Sequence, residues 1–472
     1  MKRKLTIILT VLMLMLLASS CNKAASGNDQ VTEVDTSTYV ENLSSEFSYG
    51  CSTLRFAEYM ENWSDSNGTQ VKKDNYGNVI FSVAPTEGYE NVADTVICCN
   101  YNPSLFSNDI TTISMCQYLI ENSTNHGPFK VIFINNNLNA HEGALNLSTE
   151  YFSKGARIIS LDSSYKTHAS INTGNQFDSG LRVNTERKSE NLYNTAYKIN
   201  ISGIKAAILD EHVKQQPNPI KLLGELLAYF KMKSMAYQLA DLTYETEGGN
   251  FPLGAEFTIL INGYNKTQFI NYMDSKIESF NSKYGEDFEG ISYTYEEIEL
   301  PKSVYSDDST EEIVSLLYMI TNGTSLDSND DVYAISTIKG LKINESSFTL
   351  NLVSNTRSME SMSNLYEEIN TVTSFVNAEL ITEDNLRFFN GNVDSELLKR
   401  LNQSDIKYSD DELNTYDSVR FTSCTYLQSK NTDLDIVHLF VNADDSNDIT
   451  GCLATYLVDS NIAFIDDEDI VE

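Results

Sequence analysis

Histidine is scarce in this 472-residue chain: there are five, His126, His141, His168, His212 and His438. A catalytic metal centre needing several imidazoles has few of them to draw on. The seven cysteines, Cys21, Cys51, Cys98, Cys99, Cys116, Cys424 and Cys452, include no Cys-x-x-Cys pair, which excludes a zinc ribbon and a dithiol redox motif. Cys98-Cys99 reads as core thiols on a buried strand rather than as a redox pair, while disulfides among the remainder are allowed outside the cell. Basic residues are also few, 33 Lys and Arg against 67 Asp and Glu, for a formal charge of −34. Such a chain repels a phosphate backbone, so nucleic acid is excluded as a partner, and the acidic surplus reads as solvated faces. Beyond the first 20 residues no apolar run approaches about 18 residues, the length a membrane-spanning helix needs. No internal repeat or low-complexity tract is present.

What is present begins with the leader. Lys2, Arg3 and Lys4 form a positive cluster, and from Leu5 to Leu17 only Thr6 and Thr10 interrupt the apolar run. That is short for a span and suits a cleaved signal peptide. Leu17-Ala18-Ser19-Ser20-Cys21 then resembles the lipobox at which bacterial lipoproteins are lipidated and cut. The resemblance implies a signal peptide over 1–20, lipidation at Cys21, a tether over 21–41, and a chain held by its lipid on the outer face of the cytoplasmic membrane. Removing the leader's three cations takes the net charge from −34 to −37.

With 41% hydrophobic residues the mature part can bury a large core, in two domains or one discontinuous one. Residues 53–63 carry apolar side chains at helical spacing. Asp74-Asn75-Tyr76-Gly77-Asn78 is a turn entering a strand at Val79–Val83, and Asp94–Asn100, Phe129–Ile134 and Ala156–Leu161 are apolar enough to be buried sheet strands. Strands separated by helices predict an α/β class with a mostly parallel or mixed sheet. From about residue 196 strands and helices repeat in a different character, and Ile436–Val441 looks like a return to the first sheet.

Several strings, in order, resemble the aminoacyl-histidine dipeptidases, a branch of the co-catalytic zinc peptidases that includes carnosine-cleaving enzymes. They are Asp74 to Ile80, Asn125-His126-Gly127-Pro128-Phe129-Lys130-Val131, Glu142-Gly143-Ala144, Ile159-Ser160-Leu161-Asp162-Ser163, Gly203-Ile204-Lys205, Lys221-Leu222-Leu223 and Thr356-Arg357-Ser358. The resemblance spans about 42–450 and implies a zinc-peptidase-like α/β/α core over 42–195 and 381–472, with an α+β lid inserted over 196–380. It also implies a homodimer through that lid.

In that family two zinc ions bridged by a carboxylate activate a water, and a glutamate takes its proton. Carried over residue by residue, the ligand positions fall on Asn100, Ser107, Leu138, Asp162 and Asn447, and the base on Asn137. Asp109 reaches the bridging position only if the register slips by two. The lid histidine falls on Ile208, and Gly248-Gly249-Asn250 lies near the loop that holds the substrate carboxylate. Only Asp162 keeps a ligand chemistry, because an Asn amide is a weak donor to zinc and Leu is none. The expectation is therefore a surface lipoprotein without catalysis and without a cofactor, binding a peptide or small molecule or acting as a scaffold. A metal-dependent hydrolase rebuilt around His141, Glu142 and Asp162, which would need zinc, and a solute-capturing lipoprotein are the competing expectations. Against the first of these, His141-Glu142 also reads simply as the first turn of a helix, where Glu suits the dipole.

Overall fold

Strand Thr95–Tyr101 is buried at every one of its seven positions, the condition of a strand covered on both faces. In this computed structural model the described residues are 34–67, 69–90, 94–136, 141–205, 210–212, 216–246, 251–329, 331–382, 387–409, 413–431 and 433–459. The described residues from Asp35 on belong to one compact unit. The leader and Cys21 lie outside the described residues.

One mixed sheet is built from β1 (Gln70–Lys73), β2 (Val79–Val83), β3 (Thr95–Tyr101), β4 (Phe129–Asn135), β5 (Arg157–Ser163), β6 (His168–Ser170) and β7 (Asp435–Val441). Their order is β1-β2-β4-β3-β5-β7-β6. β3, β4, β5 and β7 run parallel, while β2 joins β4 and β6 joins β7 antiparallel. The β1–β2 turn forms because the Asp74 carboxylate accepts from the backbone N–H of Tyr76 (2.8 Å) and Asn78 (2.9 Å), and Gly77 supplies a φ of +84°.

Alternation along the strands gives the sheet two unlike faces. Ile97, Cys99, Tyr101, Phe133, Leu161 and Leu439 lie on one, and its centre is apolar. The other starts apolar with Val96, Ile132, Ile158 and Ile436, then turns polar toward the carboxyl ends of the parallel strands. There the sequence runs Val96, Cys98, Asn100 on β3, Ile158, Ser160, Asp162 on β5 and Ile436, His438, Phe440 on β7. Ligand sites in open α/β sheets sit at that end.

A second core runs from Phe177 to Val376. It is organised by a four-stranded antiparallel sheet centred on Thr195–Ser202 and Pro252–Ile261, and by a five-stranded sheet in which Asn175–Asn184 lies between Ser347–Thr356 and Glu379–Thr382. Asn175–Asn184 thus enters this region ahead of residue 196. Helix Pro219–Met232 packs here, started by Asn218, whose side chain accepts from the N–H of Ile220 and Lys221. β7 then returns the chain to the first sheet, between β5 and β6. The architecture is the expected α/β core with a separate lid-like region. The six described cysteines are all free thiols, five of them buried. Among the described residues no helix is long and apolar enough to cross a membrane.

Candidate functional site

The polar end of the sheet face is closed by an ion-paired cluster. Asp162 lies one residue from the end of β5, and on the neighbouring strand His438 brings Nε2 to 3.2 Å from its Oδ2, an ion-pair distance with the N–H off the line of a hydrogen bond. Across the ring, Nδ1 lies 3.3 Å from the Cys424 sulfur, which the short helix Cys424–Leu427 presents. Burial opposes a charged His438, but the Cys424 sulfur and the Asp162 carboxylate outweigh it and hold the proton up to about pH 9. Burial would likewise raise Asp162, yet His438 and then Arg420 leave it below the usual carboxylate value. Arg420 is buried too, donating from Nη1 to Ser163 O (2.9 Å) and Asp210 Oδ2 (3.2 Å), with its guanidinium 4.7 Å from the Phe440 ring centroid. His438 therefore pairs with the Asp162 carboxylate, with the Arg420–Asp210 pair alongside. Thiol, imidazole and carboxylate in this order have the roles of nucleophile, base and orienter, but Cys424 and His438 are 0% exposed and Asp162 is 5% exposed, out of a substrate's reach.

The other dipeptidase-like positions that are described hold Asn100, Ser107 and Asn447, none of them a usual zinc ligand. Asn100 is buried and donates from Nδ2 to Leu161 O (3.3 Å) and Ser160 Oγ (3.4 Å), leaving only a neutral amide oxygen without a partner. Ser107 is exposed on helix Phe106–Asn122. Two residues on, Asp109 is buried, accepts from Asn102 N at 2.7 Å, and is pushed well up by burial. Asn447 accepts from Thr36 N and Oγ1. Asn137, Leu138, Ile208 and Gly248 to Asn250 lie outside the described residues. Of the proposed rebuilt trio, His141 is buried in a left-handed conformation, φ 44°, edge-on to Phe421 at 4.5 Å. Burial pushes its ring down to about 4, against the pull of Asp162. Glu142 is exposed on the following turn.

A second cluster lies on the far side of Phe440, at the sheet edge. Residues 414–420 run beside β6 through backbone bonds from Ala169 N to Asn414 O (2.7 Å), Tyr416 N to Ala169 O (3.2 Å) and Gly174 N to Arg420 O (2.8 Å). Extended chain sends every second side chain the same way, so Tyr416, Ser418 and Arg420 face the Asp210-Glu211-His212 run. Tyr416 OH meets His212 Nε2 at 2.5 Å, Ser418 Oγ donates to Glu211 Oε1 at 2.7 Å, and Arg420 pairs with Asp210. His168, from β6, stacks on Tyr416 with centroids 4.0 Å apart. One ligand atom each from His168, Glu211 and His212 lies within 4.8 Å of the others. Burial pushes His168 down to about 3 and raises Glu211. This grouping corrects the expectation of no cofactor, or of zinc only at a site rebuilt around His141, Glu142 and Asp162: two imidazoles and a carboxylate converge away from those positions. Sequence reasoning counted His168 and His212 but assigned them no role. The signal was Asp210-Glu211-His212, three donor residues in a row in a chain with only five histidines.

No family model and no curated protein matches the sequence. Solved structures do. The aminoacylhistidine dipeptidase of Vibrio alginolyticus superposes with a TM-score of 0.58 at 14% identity, over 90% of this chain and 97% of the other. A tripeptidase from Staphylococcus aureus follows at 0.48 and 9%, covering 91% and 99%. An M20 family metallo-carboxypeptidase from Sulfolobus solfataricus is at 0.40 and 13%, covering 86% and 95%. The chain has the fold of the first of these.

Proposed function

We propose that this protein is a lipid-anchored surface protein with a dipeptidase fold that has exchanged catalysis at the dipeptidase-like site for a binding or scaffolding role. The observation that carries the reading is the state of Asp162: the one retained ligand is spent on an internal ion pair with His438, beside the Arg420 guanidinium. An ion entering there would have to displace a buried imidazolium and face a buried guanidinium, and charges in a low-dielectric interior repel strongly. Asn100, where the resemblance implies a histidine, supports it by spending its amide on internal hydrogen bonds. Loss of a general base alone commonly removes about 10²–10⁴ in rate. The mature protein supplied with zinc or manganese is therefore expected to leave aminoacyl-histidine dipeptides uncleaved. Turnover that a chelator abolishes and Asp162→Asn removes would overturn the reading and put a working dipeptidase in its place.

A further inference from the structure

We propose that His168, Glu211 and His212 bind a zinc ion, at a place distinct from the dipeptidase-like one. Three ligands of a tetrahedral zinc at about 2.0–2.2 Å stand about 3.4 Å from one another. The three donor atoms here lie within 4.8 Å, close enough for small side-chain adjustments to bring them in. Two donors are also waiting: His168 Nε2 and Glu211 Oε2 are buried without any hydrogen-bond partner, although buried polar atoms are almost always paired.

The supporting bonds are those of a metal site. A ligating imidazole is usually held by a hydrogen bond from its other nitrogen, which sets both tautomer and orientation. His168 Nδ1 donates to Lys166 O at 3.1 Å, which leaves Nε2 as the lone pair. His212 Nε2 meets the Tyr416 hydroxyl, and in the tautomer whose Nε2–H donates to that oxygen the lone pair is on Nδ1. Glu211 Oε1 accepts from Ser418, which leaves Oε2. Each of the three residues thus has one polar atom held within the protein and a second that an ion can take. Charge agrees as well, since Glu211 adds a carboxylate to the two imidazoles while Asp210 is paired with Arg420. Two imidazoles with one carboxylate suit zinc, whereas magnesium and calcium prefer all-oxygen sets. Phe440 separates this place from Asp162, its centroid 4.4 Å from the His168 ring and 4.2 Å from that of His438.

The three ligands come from two distant stretches, an edge strand of the first sheet and the segment that follows the central lid strand, and the 414–420 segment braces them. A bound ion clamps the 210–212 segment to the sheet edge and keeps one coordination position open.

The test is zinc titration of the chelator-stripped mature chain by calorimetry, with cobalt(II) absorption as a second probe. We expect one zinc per chain, the visible bands of four-coordinate cobalt, and a rise in Tm of about 3 °C at saturation. His168→Ala and His212→Gln should each weaken binding at least about a hundredfold, and Tyr416→Phe about tenfold, the size of a supporting-bond effect. His212 reaches the surface, so its variant keeps the test valid should His168→Ala fail to fold. Asp162→Asn should keep the stoichiometry at one. No zinc uptake by the wild-type chain, or uptake undiminished in His212→Gln, or uptake lost in a folded Asp162→Asn, would each overturn the proposal.

Discussion

At the scale of single residues, His438 shows how one side chain can hold a buried site together. Its proton is kept to about pH 9 in the folded chain, against about 6.5 in an unfolded one, which corresponds to about 3 kcal/mol of stability. Because the folded value is the higher one, that contribution is complete below about pH 6.5 and is lost as the pH rises through about 9. Asp162 behaves oppositely, since its folded carboxyl lies below its ordinary value, and its share is lost only as the medium turns strongly acidic. Urea unfolding of wild type and His438→Gln should therefore differ by about 3–5 kcal/mol near pH 6.5, the cost of stranding a buried carboxylate. The difference should shrink sharply by pH 10, and an equal gap at both pH values would show that the ring is not charged. Asp162 was legible in the sequence because Ile-Ser-Leu-Asp-Ser ends an apolar strand in a carboxylate. His438 was not, because the strand Ile436–Val441 reads as apolar and its one polar residue carries no periodic signal. Its partner Cys424 lies 14 residues away, and a contact of that kind is made by tertiary packing alone.

At the scale of elements, the long strands and helices were readable because burial imposes period, and five strands of the first sheet, β2, β3, β4, β5 and β7, follow the apolar runs closely, whereas the polar β1 and the three-residue β6 gave no such signal. What escaped was the 414–420 segment beside β6. It meets its neighbours through isolated bridges, Ala169 with Thr415 and Thr173 with Ser418, too short to impose any alternation that sequence reading can detect. Yet this segment aims Tyr416, Ser418 and Arg420. Gly174 is where it is pinned: a Cβ there would lie 2.3 Å from Val419 O and 2.5 Å from Thr356 O, both backbone atoms that have no rotamer to yield. Gly174→Ala should accordingly destabilise the protein by about 1–3 kcal/mol, the usual cost of overpacking, in urea unfolding. A neutral result would mean that the 414–420 segment has room to shift.

At the scale of the whole molecule, the charge balance bears on how the protein is held at a membrane. With the leader gone the net charge is −37, and anionic leaflets attract polybasic segments, not acidic bodies. Among the described residues there is no helix able to span. In the proposed arrangement the lipid on Cys21 then carries the whole attachment, unassisted by surface electrostatics. This has two measurable consequences. The wild-type protein should stay with the membrane fraction through a high-salt wash, since salt screens charge attraction but leaves acyl-chain insertion in place, and should leave it with detergent. Cys21→Ala should appear wholly in the soluble extracytoplasmic or secreted fraction, because a body repelled by the anionic surface has no residual affinity to hold it there. A Cys21→Ala protein whose leader has been removed and which still sediments with membranes would sink the lipid-anchor reading and point to attachment through a partner already in the membrane.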